Sequence, residues 1–299
     1  MCCGSSENQM NTRTGQEGRE AGPADRLPAL EFLTGSHGSC SPCSPCSPCS
    51  PCSPRQDETL DDLQCNGMFI LQKKHAFRFC MDAVLLAAFA GAGSKDRVLD
   101  LGTGTGIIPL LLAGRTGAKH ITGIEIQPEM AYMAARSVRL NDLGARVTIC
   151  RGDMHLAPRV LGRGRFDLVT ANPPYSKAGQ GQVNALDSKA VARHEILIDL
   201  KSLICIAAEM LKYGGRLALI HRTERLCDLL GIMRNEGIEP KVLKMVHPRP
   251  GTVSKMFLVR GRKGSRPGLR VDPPLYVHDT EGAYSTELLE LYAGGPPCG

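Results

Sequence analysis

From residue 57 onward, short aliphatic and β-branched runs recur between longer stretches of helical spacing, whereas residues 1–55 show neither period. Arg97–Leu101, His120–Ile126, Val147–Cys150, Phe166–Thr170 and Arg216–Ile220 predict strands, and Met68–Leu71 is a shorter apolar run before them. Asp82–Ala90, Ile107–Ala113, Pro128–Asn141, Lys189–Leu211 and Thr223–Asn235 predict helices. Pro128 at a first helical position and Glu129 in the first turn mark one of these starts. Strands alternating with helices specify an α/β fold with a mostly parallel sheet covered on both faces. Val242–Val246 and Met256–Val259 leave no room for a crossover helix, so they predict an antiparallel hairpin at one edge.

Residues 1–55 are rich in Gly, Ser, Pro, Asn and Gln and cannot bury enough apolar surface to offset the entropy of ordering them. The expected organisation is therefore a low-complexity tail over 1–55, one folded domain over 56–292 and a flexible end over 293–299. Within the tail, Ser-Pro-Cys repeats space Cys40, Cys43, Cys46, Cys49 and Cys52 three apart. A polyproline II helix would align those thiols on one ridge, which a soft metal could use. No second module or His partner follows, so the stretch is read as a tail and no metal is assigned.

Composition narrows the class. No run approaches the roughly 18–20 apolar residues of a membrane span, and the N-terminus lacks the order of a secretory signal. The 13 cysteines, an odd number, then read as reduced thiols of a cytoplasmic protein. The net charge of +6 permits an anionic partner without demanding one.

Candidate chemistry begins at the turn after the first strand of the alternating series. Asp100, Gly102, Thr103, Gly104 and Gly106 form a glycine-rich bend that opens a helix, where the backbone turns sharply and a ligand approaches the main chain. The spacing is G-x-G-x-G, with Ile107 next, and departs from the dinucleotide pattern. Asp100 suits a cationic amino group, Glu125 at the end of the second strand suits ribose hydroxyls, and Asp153 after the third suits an adenine amino group. Ile126 and Met154, the residues next to these last two, are grouped with them. One carboxylate after each of three successive strands is what S-adenosylmethionine requires. Asp100 or Asp153 alone could be a helix cap instead.

After the fourth strand comes Asn172-Pro173-Pro174-Tyr175. Adenine's exocyclic nitrogen is a poor nucleophile because its lone pair is delocalised into the ring. The Asn172 side-chain oxygen and the Pro173 carbonyl can accept its hydrogens, the prolines fix the main chain, and Tyr175 can stack on the base. Asn172 is counted with the cofactor-binding residues as well. The plain alternative is a rigid Asx-Pro turn.

These residues resemble the amino-methyltransferases that carry (Asp/Asn/Ser)-Pro-Pro-(Tyr/Phe/Trp). Together with Asp57–Leu63, Phe77–Leu86 and Asp272-Pro273-Pro274-Leu275-Tyr276, they resemble more narrowly the bacterial tRNA1(Val) adenine-N6 methyltransferase family, over roughly residues 57–292. Cys80 stands where that family usually has glycine. The resemblance implies a Rossmann-like class I methyltransferase fold with a seven-stranded sheet. It also implies methylation of N6 of an adenosine just 3′ of the anticodon, with tRNA as partner and neither DNA nor a membrane. The basic residues Arg249, Lys255, Arg260, Arg262, Lys263 and Arg266 lie in a stretch without acids and are the expected RNA contacts. Release-factor-type glutamine N5 methylation, ribosomal-RNA adenine methylation and an inactive cofactor- and RNA-binding module are the alternatives.

Overall fold

The computed structural model describes residues 29–33, 53–74, 81–173 and 200–293. Four of the predicted strands form at the expected places: β4 (Arg97–Leu101), β5 (His120–Glu125), β6 (Val147–Arg151) and β7 (Phe166–Ala171). The fifth, β8, runs longer, over Leu211–Arg222. All five are parallel, in the order β6-β5-β4-β7-β8. The helices are α1 (Met81–Phe89), α2 (Ile107–Arg115), α3 (Pro128–Leu140), the short α4 (Ala157–Val160), α5 (Leu200–Met210), α6 (Leu226–Asn235) and α7 (Thr286–Tyr292). Of the predicted helix Lys189–Leu211, the part before residue 200 lies outside the described residues, and Leu211 already belongs to β8.

The sheet has nine strands, where seven were expected. β9 (Ile238–His247) and β10 (Met256–Lys263) form the antiparallel hairpin, but β10 lies inside the sheet, between β8 and β9. β11 (Arg270–Tyr276) adds parallel to β9 and becomes the edge. Its Pro273 and Pro274 fall where the register with β9 shifts, and an edge strand tolerates residues that cannot donate. At the other edge β1 (Glu31–Leu33) pairs antiparallel with β6, and Glu31 meets Arg151 at 2.7 Å. These residues fall within the stretch read as a low-complexity tail, because three residues are too few to show a period. The Cys40–Cys52 repeat and Cys80 lie outside the described residues.

Two apolar layers sandwich the sheet. One face carries α1, α2 and α3 through Leu85, Leu86, Leu110, Leu111, Ala134 and Val138. The other carries α4, α5 and α6 through Ala157, Leu203, Ile204, Ala207, Leu229 and Met233. A separate hairpin, β2 (Glu58–Asp62) with β3 (Phe69–Lys73), docks on α3. There Asn141 Nδ2 donates to the Phe69 carbonyl at 2.7 Å and its Oδ1 accepts from Phe69 N at 2.9 Å. Ser137 Oγ accepts from Leu71 N at 3.0 Å, so polar side chains of α3 and its C-cap pair two main-chain N–H groups of β3. Arg136 and Glu58, both buried, join hairpin to helix at 2.8 Å. No helix among the described residues is long and apolar enough to cross a membrane.

Candidate active site

At the carboxyl end of β4 the backbone turns through Gly102, Gly104 and Gly106 with φ of +72°, +57° and +87°. A Cβ at Gly102 or Gly104 would meet no atom of the described residues within 4 Å, so among these residues the bend is open on the side where those atoms would project. At Gly106 a Cβ would come to 3.0 Å from that of Ala134, so this glycine serves the approach of α2 to α3. The bend is fixed from β5: the Ile124 carbonyl accepts from Gly102 N and Thr103 N at 3.0 and 2.9 Å.

Asp100 sits beneath this bend, wholly buried. Its Oδ1 accepts from the Thr170 hydroxyl at 2.6 Å. Burial pushes its carboxyl up to about 7; Thr170 and Thr103 oppose the shift, and the nearby Glu125 charge adds to it. Asp100 Oδ2 and the adjacent Thr103 hydroxyl meet no hydrogen-bond partner with good geometry among the described residues. A buried polar atom left in this state calls for a partner, and a cationic donor arriving from the bend would satisfy a carboxylate oxygen.

Glu125, also buried, divides its two oxygens between main-chain donors: Oε2 accepts from Gly104 N and Oε1 from Gln127 N, both at 2.8 Å. Each oxygen has further acceptor capacity, so the carboxylate can brace the bend and take ligand hydroxyls as well. Ile126 follows it, half-buried. Asp153 caps the short 3-10 turn Met154–Leu156 by accepting at Oδ1 from His155 N at 2.9 Å, with Met154 buried behind it. The cap reading therefore holds for Asp153, through Oδ1.

Asn172 follows β7 directly. Ala171 pairs with Leu101, so Asn172 leaves the sheet level with Gly102, next to the bend. Asn172 is half-buried and Pro173 buried; Pro174 and Tyr175 lie outside the described residues. The carboxylates, the bend and the start of the tetrad thus gather at the carboxyl ends of β4, β5, β6 and β7, where ligands bind in open parallel sheets.

The basic stretch does not stay together. Met256 pairs with Arg222 at the carboxyl end of β8, whereas Arg262 pairs with Arg216 towards its start. At about 3.3 Å per residue, β10 carries Lys263 on the order of 23 Å from Met256. Arg249 and Lys255 therefore lie on the edge that holds the bend, and Arg262, Lys263 and Arg266 on the opposite edge. Three of the six cations have structural partners, among them Arg262, whose Nε donates to the Gly214 carbonyl at 3.0 Å. Arg260 Nη1 donates to the Phe89 carbonyl at 3.0 Å with its guanidinium over the Phe89 ring, and burial lowers its pKa. Lys263 Nζ donates to the Ala208 and Leu211 carbonyls at 2.5 and 2.9 Å, capping α5. Arg222 and Arg225, which the sequence reading passed over, join Lys255, whose carbonyl accepts from Thr223 N at 3.1 Å. Thr170 was missed as well; its pairing with Asp100 depends on strand order, which no local pattern reveals.

A family model described as a methyltransferase domain matches residues 92–236. A tRNA1(Val) (adenine(37)-N6)-methyltransferase of Porphyromonas gingivalis is 36% identical over 225 residues, covering 72% of this chain and 87% of the relative. A protein of the same description from a Flavobacteriaceae bacterium is 34% identical, over 58% of this chain and 78% of its own. Among solved structures, an Agrobacterium tumefaciens protein described as a predicted O-methyltransferase shares 27% identity and a TM-score of 0.60, covering 73% of this chain and 98% of that one.

Proposed function

The chain belongs to the tRNA1(Val) (adenine(37)-N6)-methyltransferase family, and from that premise we propose that it methylates the exocyclic nitrogen of adenosine 37 in tRNA, with S-adenosylmethionine as donor. The observation that carries this reading is the buried Asp100 Oδ2, without a well-formed hydrogen bond among the described residues, beneath an open glycine bend, with Asn172 leaving the adjacent strand at the same level. The donor set fits the cofactor: Asp100 for its amino group, Glu125 for its ribose and Asp153 for its adenine. When bound, S-adenosylmethionine supplies an electrophilic methyl group on a sulfonium.

The protein's part is to present the nitrogen. Asn172 Oδ1 and the Pro173 carbonyl accept the two amino hydrogens, which draws the nitrogen towards tetrahedral geometry and frees its lone pair. Pro173 holds this carbonyl in place because its φ is fixed by the ring. Tyr175 stacks on the base and keeps the attack in line. No general base is required, since the nitrogen becomes acidic once methylated; rate comes from positioning and electrostatics. An anticodon-loop adenosine is already unpaired, so presenting it costs less than extruding a base from a duplex. Arg249 and Lys255, on the edge that holds the bend, meet the RNA phosphates, joined by Arg222 and Arg225.

Mass spectrometry of nucleosides from purified tRNA, with and without the gene, tests the reading. It expects N6-methyladenosine at the position 3′ of the anticodon to vanish with the gene and return when the enzyme is added. Unchanged tRNA, or a loss of 2′-O-methyladenosine in its place, would overturn the reading.

A further inference from the structure

A chain of hydrogen bonds runs outward from Asp153. Besides the main-chain cap, Asp153 Oδ1 contacts His155 Nδ1 at 2.6 Å, and His155 Nε2 contacts Ser202 Oγ at 2.7 Å. Ser202 lies in the first turn of α5, a helix distant in sequence that packs on α4. A carboxylate only accepts, so Nδ1 carries the proton of the first bond; in the neutral ring Nε2 is then the acceptor for the serine hydroxyl. With the ring protonated, Nε2 donates to the serine oxygen, and both bonds persist.

We propose that His155 is a positioning residue for the cofactor: with Ser202 it locks the Asp153 carboxylate in one rotamer, so that its second oxygen is presented to the adenine amino group. The main-chain cap alone holds Oδ1 by a single bond and leaves the carboxylate able to rock about it. The imidazole adds a second donor to the same oxygen from another direction, and Ser202 fixes the imidazole against α5. Both Oδ1 bonds are charge-assisted, which makes them short and strong. This inference rests on the reading of the bend as an S-adenosylmethionine site.

The test is calorimetric binding of S-adenosylhomocysteine to the full chain, read beside the Michaelis constants for S-adenosylmethionine and for tRNA. Wild-type binding establishes the site itself, so its absence would sink the premise and not the relay. His155→Ala keeps the main-chain cap and is expected to weaken binding about ten-fold, roughly one charge-assisted hydrogen bond. The Michaelis constant for S-adenosylmethionine should rise in parallel, and that for tRNA should move less than about two-fold. Ser202→Ala should weaken binding by about three-fold in the wild type and have no further effect beside His155→Ala, while Ser202→Thr restores it. Thermal midpoints within a few degrees confirm that the variants are folded. Unchanged affinity in folded His155→Ala, or additive effects of the two alanines, would overturn the relay.

Discussion

The Thr170 hydroxyl donates to Asp100 Oδ1 at 2.6 Å across the neighbouring strands β7 and β4, beneath the glycine bend. This bond stabilises the charged form of a carboxyl that burial, even so, pushes up to about 7, against an ordinary 3.8. The free protein therefore holds Asp100 largely protonated in mildly acidic solution. Taking up a cationic amino group favours its ionised form.

Cofactor affinity should accordingly rise with pH through about 7. Calorimetry of S-adenosylhomocysteine between pH 5.5 and 7.5 is expected to show tightening that approaches ten-fold per unit below the midpoint. Thr170→Val should move that midpoint upward, and Asp100→Asn should flatten the profile. The sign for stability is opposite: a raised carboxyl binds its proton more tightly when folded. The contribution of Asp100 to stability is thus lost between pH 3.8 and about 7 and is constant above. A pH-independent affinity would show that Asp100 does not face the ligand.

Removing one partner of the Glu58–Arg136 pair should be costly. Burial pushes the Glu58 carboxyl up, but the Arg136 guanidinium and the Arg55 N–H prevail and hold it below its ordinary value. Arg136→Met leaves that carboxylate buried without its guanidinium partner and with the Arg55 N–H still donating to it, an expected loss of about 3 kcal/mol in urea unfolding. Glu58→Leu in the same chain should recover most of it. Little loss in the single variant would mean that the hairpin lifts off α3 to hydrate Glu58.

Asn172→Ala should abolish methylation while S-adenosylhomocysteine still binds, with an affinity within a few-fold of wild type. Single-turnover assays separate the two effects. An active variant would remove the proposed amide acceptor from the mechanism.

The split of the basic stretch predicts unequal effects of charge reversal. Arg249→Glu with Lys255→Glu should raise the Michaelis constant for tRNA by about ten-fold or more at low salt and reduce the salt slope by about two. Arg262→Glu with Arg266→Glu, on the opposite edge, should change it by less than about two-fold. Equal effects from the two pairs would place RNA across the whole length of β10.

Much of the candidate site is local chemistry, which is why it is legible in the sequence alone. A glycine bend needs its glycines close together in the chain, here at alternate positions 102, 104 and 106; a carboxylate at a strand end is adjacent to that strand, and Asn172-Pro173-Pro174-Tyr175 is contiguous. Periodicity likewise marked the five parallel strands and α2, α3 and α5 between them, but not α4, whose four residues are too few to show a period. Tertiary structure decided whatever depends on which strands are neighbours. Only the pairing of β7 with β4 sets Thr170 on Asp100, and only the packing of α4 on α5 brings Ser202 to His155. The eight-residue span of β10 parts cations that are near neighbours in the sequence, while the edge strands β1 and β11 were too short or too rich in proline to show a period. Sequence proximity measures distance along the chain, and a strand converts a few residues of it into the height of the sheet.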